Sequence, residues 1–134
     1  MSVRQDLHIL QGATWQFSFV YLDGEGAAVD VSNYEGRLAI RADFSSSTEA
    51  YLTSTGGEVD GSITLGADGT VTLAMTAQDT TGLLDDLSEL LVFGDMAYRA
   101  ERFVEFIYDL KLIGDGTTVR ALQGKVIVER EVTR

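Results

Sequence analysis

The sequence predicts an all-β fold, an immunoglobulin-like antiparallel β-sandwich of about seven or eight strands with one short α-helical insertion at about 77–92. Three observations predict it. The stretch 105–134, EFIYDLKLIGDGTTVRALQGKVIVEREVTR, reads as two long alternating strands around a Gly-Asp-Gly turn. Short apolar runs recur along the rest of the chain, punctuated by Gly, Asp, Ser and Thr, with no proline where about 5% is average. A single segment, 76–93, changes from a period of two to helical spacing. The 134 residues form one expected domain, 1–134, long enough to bury a core.

The first expected strand is 6–11 (DLHILQ), ended by Gly12. The next, 14–22, places Trp15, Phe17, Phe19 and Tyr21 on one face and Gln16 and Ser18 on the other. Aromatics in register each bury roughly 150–250 Å², so this face is expected at the centre of the core. Asp23-Gly24-Glu25-Gly26 is a turn, and Val29 to Ser32 lead to a further break. In 36–43, Leu38, Ile40 and Ala42 face in while Arg37, Ala39 and Arg41 face out. A weak strand at 49–53 follows a serine loop. The runs 61–65 and 70–75 flank Gly66-Ala67-Asp68-Gly69 as a hairpin.

Thr76-Ala77-Gln78-Asp79 has the form of a helix capping box with Asp79 as its acid. Leu83, Leu84, Leu87, Leu90 and Leu91 then recur at helical spacing, with Asp85, Asp86 and Glu89 outside. Gly82 costs a helix about 1 kcal/mol against Ala, so the well-formed part is expected to start after it. Residues 95–102 read as an exposed helical turn or a loop. In the closing hairpin Val104, Phe106, Tyr108, Leu110 and Leu112 share one face, answered by Leu122, Val126, Val128 and Val132 on the return. Such a hairpin cannot bury its own face, so the preceding strands must supply the opposing layer.

The totals exclude several classes. There is no cysteine, hence no disulfide and no thiolate metal site. No apolar run is long enough to span a bilayer, and the N-terminus lacks the order of a signal peptide. A net charge of −11 argues against a nucleic-acid partner, because phosphate binding needs a basic footprint.

No catalytic constellation emerges. His8, the lone histidine, alternates with Leu7 and Ile9 on the outer side of its strand and has no nucleophile in sequence reach. Asp23 with Glu25, Asp85 with Asp86, and Asp115 do not match the spacing of a calcium loop; turn chemistry accounts for those in turns. The glycines form no phosphate cradle. The leucine stripe is read either as a membrane or partner helix or, more often, as cover for the open end of the sandwich. Arg99, Arg102, Arg120, Arg130 and Arg134 either meet acidic patches on a neighbouring copy or form solvated ion pairs worth about 0–1 kcal/mol.

An ordered set of motifs carries a resemblance. It comprises L-x-x-x-Gln-Gly-x-x-Trp-x-Phe-x-Phe within 7–19 and Gly-x-Val-x-Leu-x-Met-Thr-x-x-x-Thr at 69–80. Tyr-Asp-Leu-x-Leu at 108–112, Gly-Asp-Gly at 114–116 and Arg-x-Leu-x-Gly-x-Val-x-Val-x-x-Glu-Val-Thr-Arg at 120–134 complete it. In the first motif the Gln-Gly pair is Gln11-Gly12, and the leading Leu is Leu7. Together these resemble small structural domains of tailed bacteriophages, most of all the N-terminal domain of upper baseplate proteins and related tail or neck subunits. The resemblance implies a non-enzymatic virion component, assembled in the bacterial cytoplasm, that docks to other virion proteins and to copies of itself. It implies no cofactor, metal, small-molecule substrate, nucleic acid or membrane.

Two departures from that pattern stand out. The chain ends at Arg134 directly after the last strand, so no receptor-directed tip is expected, and 83–102 is longer than the usual link. The expected assembly interface comprises Leu84, Leu87, Leu91, Arg99, Arg102, His8 and Arg120. The alternatives are a carbohydrate- or calcium-dependent binding module, for which Tyr34, Tyr51 and Tyr98 are the exposed-aromatic candidates, and a capsid decoration protein.

Overall fold

A computed structural model describes residues 3–41, 50–55, 60–87, 103–114 and 116–130, with only the backbone of 84–87. The fold is all-β, with one helix among the described residues. Its strands are β1 (Val3–Arg4), β2 (Leu7–Leu10), β3 (Trp15–Val20), β4 (Glu35–Arg41), β5 (Ala50–Thr53), β6 (Gly61–Leu65) and β7 (Thr70–Met75). Helix α1 (Ala77–Leu87) precedes the long closing strands β8 (Phe103–Gly114) and β9 (Thr117–Glu129). They join in one curled sheet of order β1-β9-β8-β4-β5-β6-β7-β3, with β2 also on β9.

Two features differ from the sequence expectation. Nine strands form among the described residues, and the sheet is mixed: β1 and β2 run parallel to β9, and β5 runs parallel to β6. The β1 and β2 registers, Val3 with Leu122 and Leu7 with Val126, keep one offset. They are therefore a single edge strand interrupted at Gln5 and Asp6. The interruption has a local cause. Asp6 Oδ1 accepts the Lys125 N–H at 3.0 Å, so a side chain replaces a ladder carbonyl there. Gln5 N still donates to Gln123 O at 2.9 Å.

The closing hairpin forms as the alternation predicts. Val104, Phe106, Tyr108, Leu110 and Leu112 are buried and face the core with Leu122, Val126 and Val128; Val132 lies outside the described residues. The ladder shifts after Leu110, which pairs with Leu122 while Lys111 pairs with Arg120. Ala121 is the extra residue of a bulge, which is why both Ala121 and Leu122 are buried in succession. Gly116 takes φ 76° in the turn. In β4, Leu38 and Ile40 are buried as expected, and Ala42 lies outside the described residues.

The aromatic face of β3 is not the centre of the core. Among the described residues strand β3 pairs only with β7 and forms the far edge of the sheet, and Trp15, Phe17, Phe19 and Tyr21 are half-buried against the core rather than inside it. The centre is aliphatic instead, built from Leu38, Ile40, Leu52, Leu73, Leu110 and Leu112 around Phe106.

The capping box forms: Thr76 N donates to Asp79 Oδ2 at 2.9 Å, and Asp79 N donates to Thr76 Oγ1 at 3.1 Å. This reciprocal cap starts α1 at Ala77, ahead of Gly82 rather than after it. Leu83 is fully buried and fixes the helix on the core. Thr80, also fully buried, ties the helix to the β2–β3 turn. Its hydroxyl accepts from Gly12 N at 3.0 Å and lies 2.9 Å from Ala13 O and 3.0 Å from Ala77 O. Thr80→Val keeps the shape but strands the Gly12 N–H and the Ala13 carbonyl. It should lower unfolding free energy by about 1–3 kcal/mol, read as a shifted urea midpoint at unchanged slope.

Tyr108 ties β8 to the connection between β1 and β2. Its ring lies in the core opposite Gly124, and its hydroxyl donates to the carbonyl of Gln5. Burial, aided by the Asp6 carboxylate and opposed by Arg4, raises the Tyr108 phenol pKa well above its ordinary value. A raised folded-state pKa means this stabilisation is full below about pH 10, where the unfolded phenol titrates, and fades as pH rises beyond it. Tyr108→Phe should cost about 1 kcal/mol at pH 7, and its thermal-melt deficit against wild type should shrink steadily above pH 10.

Candidate functional site

The inward alternation of β4, β8 and β9 leaves their other face to solvent, and register assembles that face from residues far apart in sequence. Arg37 pairs with Lys111, and Lys111 with Arg120, so three cations stand in one row across β4, β8 and β9. Neighbouring strands lie about 4.8 Å apart, and like charges directly opposite destabilise a sheet. The next row is Tyr51, Ala39, Asp109, Gln123 and Arg4, crossing β5, β4, β8, β9 and β1. The third is Arg41, Ile107 and Lys125.

These rows line a cleft of about 790 Å³ that also reaches Ile113 and Thr118. Among the described residues, Arg4, Arg37, Arg41, Lys111, Arg120 and Lys125 line it, with Asp109 as the one lining carboxylate. Partial neutralisation is local: Arg120 Nε lies 3.5 Å from Asp109 Oδ2, and Lys125 Nζ lies 3.1 Å from Glu105 Oε1. Arg4 and Lys111 form no ion pair with a described carboxylate. The Arg37 guanidinium stacks 4.6 Å above the Tyr51 ring, which holds its planar fork in place.

The opposite charge collects in turns. Asp23 Oδ1 accepts Glu25 N at 2.8 Å and Ala27 N at 3.0 Å; Asp30 Oδ1 accepts Ser32 N at 2.9 Å and Ser32 Oγ at 2.6 Å; Asp68 Oδ1 accepts Thr70 N at 3.0 Å. Tyr21 N donates to Gly69 O at 2.8 Å and Val31 N to Gly66 O at 3.2 Å, which brings the 23–31 connection beside the β6–β7 turn. The result is one acidic end bearing Asp23, Glu25, Asp30 and Asp68. Its aspartates are held below the usual carboxylate range, by the Ala27 and Glu25 N–H groups at Asp23, the Ser32 hydroxyl and N–H at Asp30, and the Thr70 N–H at Asp68. They stay ionised at neutral pH.

No protein-family model matches the sequence, and no curated protein matches it.

Of the residues expected at an assembly interface, Arg120 lies on the basic face. His8 is exposed on the same side of the sheet, beside Ile127 and in the row of Glu105, farther along β9. Leu84 and Leu87 belong to α1, but their side chains lie outside the described residues, as do Leu91, Arg99 and Arg102 altogether. The structure therefore brings together Arg120 and, at a distance of three rows, His8. Sequence reasoning missed Arg4, Arg37, Arg41, Lys111 and Lys125 as a set. Their only sequence signal is that each falls on the outward side of an alternating strand.

Among the aromatic candidates, Tyr51 lies beneath Arg37 in the cleft. Tyr34 is half-buried over Gly114, where an added Cβ would stand 2.7 Å from its ring; Tyr98 lies outside the described residues. Among the described residues, no group of three or more His, Cys, Asp or Glu side chains converges as a metal site requires.

Proposed function

We propose that this chain is a non-enzymatic structural subunit of a tailed-phage virion, acting through protein–protein contacts. The observation that carries the reading is the outer face of β4, β8 and β9. A strongly acidic chain places five cations there, Arg37, Arg41, Lys111, Arg120 and Lys125, with Arg4 of β1 beside them, at the cost of like-charge repulsion across the strands. That cost is offset when an acidic surface covers the face. The virion setting rests on the ordered motifs from Leu7 to Arg134 that resemble baseplate, tail and neck domains.

In this reading the curled sheet works as an immunoglobulin-like pair of layers. One layer is β1/β2-β9-β8-β4-β5 and the other β6-β7-β3, joined among the described residues by the two-residue β5–β6 ladder. The strands at both ends, β2 and β3, each pair on one side within the described residues, so both edges are open to strand addition.

Antibodies raised against the purified protein should decorate a fixed position on tailed particles made by cells that express it, seen by electron microscopy. Particles that form and infect normally while carrying none of the protein would overturn the proposal.

A further inference from the structure

The geometry points to head-to-tail self-association, in which the acidic end of one copy, Asp23, Glu25, Asp30 and Asp68, seats in the basic cleft of the next. The inference deepens the assembly reading above by naming the first partner: a second copy of this chain.

Three observations carry it. The cleft favours an anionic occupant, because among the described residues its row of Arg37, Lys111 and Arg120 meets one lining acid, Asp109, in the adjoining row. The acidic end is a preformed complement: its aspartates are fixed by backbone N–H groups, so their charges sit at defined positions without further ordering cost. The two surfaces are built on different segments, and no residue of the acidic end lines the cleft. Each copy thus presents both halves of the contact, and using one leaves the other available. Such a contact is heterologous and generates rings or open chains rather than closed pairs.

The net charge of −11 does not forbid it. At physiological ionic strength the screening length is about 8 Å, so repulsion between whole molecules is damped while contacting charges still attract. Arg37 and Arg120 can each present a planar fork to a carboxylate.

Two charge variants test the idea. In the face variant, Arg37→Glu and Lys111→Glu reverse two of the three cations in the Arg37–Lys111–Arg120 row. In the end variant, Glu25→Lys is combined with Asp30→Asn and Asp68→Asn, which delete charge but keep the oxygen that accepts each turn hydrogen bond. Circular dichroism and melting curves establish that both fold.

Sedimentation velocity in about 0.15 M salt should show wild-type oligomers whose size grows with concentration and which dissociate in about 1 M salt, where the screening length falls to about 3 Å. Each variant alone should be monomeric. An equimolar mixture should form a heterodimer and stop there, since the intact end of the face variant fits only the intact cleft of the end variant. A monomeric wild type at high concentration, variants that oligomerise like wild type, or a mixture that stays monomeric would each overturn the inference. So would a wild type that stays monomeric but binds polyphosphate or an acidic peptide in the cleft. Particle labelling that persists alongside a monomeric wild type would reject self-association while leaving the virion assignment standing.

Discussion

Gly124→Val is expected to destabilise the protein by about 3 kcal/mol and to release its N-terminal edge strand. Gly124 has φ 155°, and a Cβ there would lie 2.6 Å from the Gln5 carbonyl oxygen and 2.9 Å from Asp6 Oδ1. The first of these is backbone, so it cannot turn aside. Strand β1/β2 must lift where its Gln5–Asp6 interruption lies beside Gly124 of β9, and three hydrogen bonds depend on that approach: Tyr108 to Gln5, Lys125 N to Asp6, and Gln5 N to Gln123. The expected signature is spatially uneven. Amides of Leu7–Leu10 should lose hydrogen-exchange protection while those of β4 and β8 keep most of theirs. Uniform loss across the sheet, or none, would contradict this account.

Phe106→Ala is expected to remove about 3–5 kcal/mol, close to the whole stability of a small domain. Phe106 is 1% exposed and stands on β8, the strand that pairs with both β9 and β4. Its neighbours sit on a continuous ladder and cannot collapse inward without breaking pairs, so the cavity stays open. Chemical denaturation should give a sharply lower midpoint. Phe106→Leu, which keeps most of the volume, should recover more than half of the loss.

The legible parts of the fold were those whose signal is local. The alternation from Val104 to Leu112 and the glycine at 116 specify a hairpin without outside help. Thr76 and Asp79 specify the helix start, because a capping box involves four consecutive residues.

Tertiary decisions were not legible. The face of Trp15, Phe17 and Phe19 looks fit for a core centre, yet β3 ends at the sheet edge, and sequence spacing carries no record of which strand is last. Nothing in Leu7–Leu10 says that its partner is β9 or that the two run parallel. The bulge at Ala121 shifts the period by one, which pattern reading cannot detect beside two apolar residues. Arg120 could be singled out, but the cationic row could not. Arg37, Lys111 and Arg120 become neighbours only through two ladders whose registers are set by the core on the opposite side.

The pairing of Leu7 with Val126 and of Ile9 with Val128 has a consequence for biosynthesis. A ribosome adding about 5–20 residues per second needs several seconds to a few tens of seconds between making the first member of each pair and the second. Throughout that interval the nascent chain carries Leu7 and Ile9 without their β9 partners. Closure of this edge of the sheet therefore waits until β9 has been made and has cleared the exit tunnel.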